Sequence, residues 1–281
     1  MQSPLVTPPE LAKELADSRL VLLDARAGTD ARDRFRAQHL AGARFVSGDH
    51  ELAQQGDPAV GGRHPLPPLD VWQRTLAQLG VKASSRVVVY DDKNGTNPAA
   101  RAWWMLRASG IDARVLDGGL AAAVAEGLPV ESGESKPTPA VMPLRIDGWQ
   151  RPTVDVARID ALSASPSVPV LDARSEARHR GDADPFDPRP GHIPRTQSAP
   201  HEASLDASGR MRSPAELRAR FEPLLAGHAP TDAVVYCGSG VTACHLLLAM
   251  EHAGLPGAAL YVGSFSEWTR SGRPVATGTG T

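Results

Sequence analysis

A chain of 281 residues is longer than one compact core ordinarily requires and points to two domains. With 41% hydrophobic residues, 22% charged residues and a formal net charge of −2, it has the composition of a globular protein and lacks the concentrated basic surface that nucleic acid demands. No apolar run is long enough to span a membrane, the first ten residues carry no signal-like region, and two cysteines are too few for a disulfide framework, so a cytoplasmic setting is expected.

In chain order, Thr7-Pro8-Pro9-Glu10 reads as a helix start, with a hydroxyl at N-cap, proline at N1 and glutamate at N3. Val21–Leu23 inside "LVLLDAR" and Val87–Tyr90 inside "RVVVYD" are short apolar runs expected to be buried strands. Asp70 to Gln73 opens another helix, for which Gly80 supplies the C-terminal cap. Trp103 and Trp104 fall on the helix after Pro98 and are read as core. Residues 131–151 are rich in Pro, Gly and Ser and form the expected linker, with 141–146 extended along a domain surface.

The chain then repeats itself. "LVLLDAR", "HLAGA", "RVVVYD" and "GLPV" return as "VPVLDAR", "HIPRT", "DAVVYC" and "GRPV", in the same order and roughly 150 residues further on. Ser213-Pro214-Ala215-Glu216 repeats the first helix start, and Val168–Leu171 and Ala233–Tyr236 are the matching strands. Strands alternating with helices imply an α/β fold: two tandem domains, 1–130 and 152–281, each a mainly parallel sheet flanked by helices on both faces.

The second copy of the central strand stops at Cys237, followed by Gly238-Ser239-Gly240-Val241-Thr242 and a helix closed by Gly254. A strand, a glycine turn and a helix N-terminus form an anion cradle, in which a thiolate would be stabilised and act as a nucleophile. A lone cysteine before such a turn would equally be an inert neighbour of a phosphate-binding loop.

Taken with both "LDAR" strands, "HLAGA" and "GHIP", "RAWWMLRASG…LDGGL" and "SPAELRARF", the hexad Cys-Gly-Ser-Gly-Val-Thr resembles the active-site loop of the 3-mercaptopyruvate sulfurtransferases. These belong to the tandem rhodanese family, and the resemblance covers nearly the whole chain. It implies an inactive first domain, in keeping with Asp91 where the second has Cys237, and a persulfide carried on Cys237. It implies a Ser–His–Asp arrangement of Ser239, His64 and Asp49, the last two from a first-domain loop forming one wall of a cleft. Its substrate-binding arginines fall on Arg178, with Arg180 as the alternative, and on Arg189, at a spacing longer than is usual in the family. The backbone of Gly238, Gly240, Val241 and Thr242 would line the site. The implied partners are a small sulfur donor and a thiol acceptor such as thioredoxin or glutathione, with no cofactor.

Thiosulfate-preferring relatives place basic residues beside the cysteine, in a Cys-Arg-Lys-Gly-like loop. Gly238 and Ser239 are uncharged, so the loop's field is expected from backbone alone, which favours 3-mercaptopyruvate over thiosulfate as donor. A Cys-x5-Arg phosphatase is excluded by Ala243, and a non-catalytic sulfur-binding or redox module would be expected to lose the cysteine or its loop. Cys244 is read as a core residue, and His228, His245 and His252 lack zinc-like spacing, so no metal is expected. Arg195, where the family usually has Gly, is expected to narrow the site mouth or add an anion contact. Val262 and Phe265 depart from the family's "DGSW", which keeps an apolar wall but removes the polar group that belongs beside it.

Overall fold

The structure, a computed structural model, describes residues 3–95, 97–136, 139, 141–165 and 167–279. The chain divides into two compact units. The first comprises Met1–Gln54, Leu66–Gln150 and Ser208–Arg210; the second comprises Gln55–Pro65, Arg151–Ala207 and Met211–Thr281. A short segment of the N-terminal half, residues 55–65, therefore packs as part of the second unit, and the linker stretch up to Gln150 packs with the first.

In the first unit, strands β1 (Leu5–Val6), β2 (Leu20–Arg26), β4 (Arg44–Ser47), β5 (Arg86–Tyr90) and β6 (Asp112–Leu116) form a parallel sheet in the order β1-β6-β5-β2-β4. A two-residue strand β3 (His39–Leu40) pairs antiparallel with β7 (Val130–Glu131). In the second unit, β8 (Thr153–Val154), β9 (Val170–Asp172), β10 (Gln197–Ser198), β11 (Val234–Tyr236) and β12 (Ala259–Tyr261) form a parallel sheet ordered β10-β9-β11-β12-β8. The two orders are the same strand for strand, and the His192–Ala276 bridge stands where β3 meets β7. Parallel strands need crossovers, and helices supply them in both copies. Among the described residues no helix is long and apolar enough to cross a membrane.

Helix α1 (Pro8–Glu14) starts as the sequence predicts, with Glu10 accepting from the Thr7 amide at 2.8 Å and its hydroxyl at 2.7 Å. Helix α8 (Pro214–Leu225) repeats the arrangement through Ser213 and Glu216. Helix α3 (Leu69–Gln78) departs from expectation: it begins one residue before Asp70, entered from Pro68, and Asp70 pairs with Arg74 at 2.9 Å instead of capping. Pro68, whose ring fixes φ, turns the chain into the helix at Leu69, so Asp70 falls inside the first turn. Residues 141–146 form no strand, but the Val141 amide donates to Ala77 O and Gln73 Nε2 to Ile146 O, which lays the segment along α3.

The repeated Asp-Ala-Arg serves the core. Asp172 and Arg174 are both buried and make a bidentate pair, with Arg174 Nη2 at 2.6 Å from Asp172 Oδ2. Arg174 also donates to Gly191 O at 2.8 Å and Asp184 Oδ2 at 3.2 Å, and its guanidinium lies 3.9 Å from the Phe265 ring centroid. Phe265 is thus a buried platform for a cation. Burial would raise the Asp172 carboxyl, but Arg174 and His179 hold it well below the ordinary range. Its stabilising contribution is therefore complete above the usual aspartate pKa of about 4 and is given up only as acid protonates it below that value. Asp172→Ala, which takes from a buried guanidinium its nearest carboxylate, is expected to cost about 3–5 kcal/mol, measurable by urea denaturation at neutral pH.

Candidate active site

β11 is the middle strand of its sheet, and Cys237 follows it at the carboxyl edge, where open parallel sheets hold their ligands. The loop then turns into helix α9 (Thr242–His252), closed by Gly254 at φ +75°. Gly240, at φ +78°, brings its amide onto Cys237 Sγ at 3.2 Å; a β-carbon there would also overlap the backbone of Val262. The loop is stitched to the start of helix α10 (Ser264–Arg270). Ser264 Oγ accepts from the Cys237 amide at 3.1 Å, and the Phe265 and Ser266 amides donate to the carbonyls of Cys237 and Gly238. Cys237 is 1% exposed and Ser239 8%. Cys244 is buried and donates its thiol to Gly240 O at 3.3 Å, which ties it to the loop's backbone.

The loop at the equivalent place in the first unit holds an anion of its own. Asp91 follows the equivalent strand β5, and its carboxylate accepts from the amides of Lys93 (2.8 Å), Gly95 (2.7 Å), Asn97 (3.4 Å) and Ala99 (3.2 Å). Burial pushes this carboxyl upward, against the pull of those amides. The first cradle is therefore filled by its own side chain.

His64 Nδ1 and Ser239 Oγ share a hydrogen bond of 2.8 Å. It is made inside the second unit, because residues 55–65 belong there. That strap is held by Gly61 N–H to Glu267 Oε1 (2.9 Å) and Arg63 N–H to Ser266 Oγ (3.0 Å). Asp49 lies in the first unit, where it accepts from the Gly28 amide at 2.7 Å.

Three expectations about charge change. Arg178, bound to Asp184 at 2.9 Å, faces the loop: a β-carbon built on Gly238 would lie 3.0 Å from its Nη2. The same point is 3.1 Å from Arg63 Nη2, so the loop's field does not come from backbone alone. Arg180 instead pairs with Asp182 (2.7 Å) and Glu176 (3.6 Å) on the surface. Arg189 donates to the carbonyls of Thr269 (2.7 Å) and Arg273 (2.8 Å), closing the end of α10; acceptors exposed by that helix terminus draw the guanidinium. Arg195 precedes β10, at the amino edge opposite Cys237, and donates to Ala164 O, so it does not line the site mouth. Arg63 is the residue that sequence reasoning passes over. Its signal was adjacency to His64 after two glycines, both at φ +81°.

With a cysteine that follows the middle strand of one of two parallel sheets and is met by a loop amide, the chain belongs to the rhodanese family and is a sulfurtransferase: the rhodanese-like domain matches residues 7–126 and 155–271. The Pseudomonas aeruginosa protein named "Probable 3-mercaptopyruvate sulfurtransferase" is 41% identical over 98% of both chains. The thiosulfate sulfurtransferase of Gallus gallus is 35% identical over 87% of this chain and 83% of its own. The structure of 3-mercaptopyruvate sulfurtransferase from Leishmania major superposes with a TM-score of 0.83 at 31% identity, over 95% of this chain and 74% of that one.

The strap's seat is testable. A β-carbon on Gly62 would overlap Gly263 O and lie 2.8 Å from Ser266 Oγ, besides about 1–2 kcal/mol of left-handed strain. Gly62→Ala is expected to displace His64, raise protease cleavage within 55–65, and lower sulfur-transfer kcat/KM by about 100-fold.

Proposed function

We propose that the chain moves sulfur from 3-mercaptopyruvate to a thiol, with Cys237 as the carrier. The observation that carries this reading is the Gly240 amide directed at Cys237 Sγ, in a loop whose first-unit counterpart is seen binding a carboxylate. Cys237 sulfur attacks the donor sulfur, the donor's C–S bond breaks, and its electron pair leaves as the enolate of pyruvate. His64, through Ser239, takes the donor thiol's proton and returns it to the enolate carbon. The persulfide on Cys237 is held by loop amides until an acceptor thiolate, such as that of thioredoxin or glutathione, or cyanide in an assay, attacks its outer sulfur and frees Cys237. Gly238, Val241 and Thr242 contribute backbone to the donor's seat.

A second reading, with thiosulfate as donor, is favoured by the two guanidiniums beside Gly238, which supply cationic charge near the sulfur without a basic loop residue. Comparing kcat/KM for the two donors separates them, and the first reading expects 3-mercaptopyruvate to lead. Mass spectrometry after exposure to 3-mercaptopyruvate should show one added sulfur mapped to Cys237 and discharged by a thiol. Cys237→Ser turning over at the wild-type rate would end the proposal. His64→Asn is expected to lower kcat by about 100-fold or more, while persulfide already on Cys237 still discharges to thiols.

A further inference from the structure

We infer that the cavity at the amino edge of the second sheet is a binding site for a small organic monocarboxylate, held by Arg195 and seated on the apolar residues that lead into β9. It lies at the edge opposite Cys237 and stands apart from the choice of sulfur donor.

The cavity has a volume of about 480 Å³, within the usual range of small-molecule sites, and all its lining residues belong to the second unit. Val168, Pro169 and Val170 give it an apolar wall, and Arg195, Gln197 and His228 add a guanidinium, an amide and an imidazole. Its backbone is held in unusual conformations. Among the described residues four that are not glycine have positive φ; Arg195 (+61°) and Ala226 (+48°) both line this cavity, and a third, Ser264, accepts from the Cys237 amide. Residues with a β-carbon rarely adopt that conformation, and strain of this kind gathers at functional positions.

The repeat supplies the comparison. Gln197 pairs with Leu171 as Arg44 pairs with Leu23, and these leucines precede the aspartates of the two "LDAR" strands. Arg195 therefore stands where the first unit has Gly42, at φ +78°. The first unit's cavity at that edge, lined by Gly42 and Arg44, measures about 240 Å³. A turn that glycine makes without strain is made by arginine in the second unit, and the arginine so placed lines the larger cavity.

Charge points to the ligand. Arg195 Nη1 donates to Ala164 O at the end of helix α6 (Val156–Ala164), a bond that uses one of the guanidinium's five N–H groups. Among the described residues no carboxylate pairs with Arg195, whereas Arg180, also on the surface, has two. A ligand carboxylate matches the planar fork and its single charge, and an apolar body matches Val168 and Pro169.

The test titrates benzoate, benzamide and inorganic phosphate into the full chain. NMR follows the Val168 and Val170 methyl signals and the His228 ring signals, so that occupancy beside Cys237 is not counted. Benzoate is expected to shift these signals to saturation, about 10-fold or more tightly than benzamide or phosphate. Arg195→Gly, which gives this edge the residue type of the first unit, is expected to weaken benzoate by about 10-fold or more, with Arg195→Lys intermediate. Benzamide binding as tightly as benzoate, phosphate binding more tightly, or benzoate affinity unchanged in Arg195→Gly overturns the inference. A wild-type protein that shows no benzoate shifts, with a lower Tm in Arg195→Gly, leaves Arg195 as a cap of α6 alone and overturns it as well.

Discussion

The amide hydrogens exposed where a strand passes through a tight turn into a helix must find an acceptor, and that demand organises both halves of this chain. In the first unit the acceptor is the Asp91 carboxylate, gripped by amides from Lys93 to Ala99. In the second it is the sulfur of Cys237, met by Gly240. The same place in the fold thus holds a buried carboxylate in one copy and a buried thiol in the other. The two copies differ in the residue that follows the middle strand and in the length of the loop behind it, which reaches its helix at Pro98 in one and at Thr242 in the other.

Around that node the second unit is braced by charge. Arg174, buried beside Asp172, reaches Gly191 and Asp184 and rests on Phe265, so the 184–191 loop is fixed to strand β9 and to α10 at once. Asp184 and Asp187 on that loop then orient Arg178 and Arg63 over Gly238. A buried pair of this kind adds little net stability over an apolar pair of similar size, but it sets direction. Here direction is what the neighbouring guanidiniums need.

Much of this was legible in the amino-acid order. The repeat carried the two-sheet architecture, because "LDAR" and the Val-rich runs are local and buried, and the glycines after Cys237 announced the tight turn that brings the Gly240 amide onto its sulfur. Helix starts at Thr7 and Ser213 followed their capping chemistry, whereas Pro67-Pro68 overrode the cap expected at Asp70. What escaped is non-local. Arg63 meets Asp187 across 124 residues, and Arg189 turns to carbonyls 80 and 84 residues away, which no spacing rule reports. Position relative to a motif identifies a candidate arginine; only packing says which acceptor claims it.

The strap of residues 55–65 makes the duplication irreversible in a physical sense. A stretch encoded by the first copy is an integral piece of the second, where it contributes a histidine against Ser239 and a guanidinium against Gly238. A gene fragment carrying only the C-terminal repeat would encode Cys237 without these two neighbours. Mutational drift in the cysteine-less copy is accordingly constrained at Gly61, Gly62, Arg63 and His64, however freely the rest of that copy diverges.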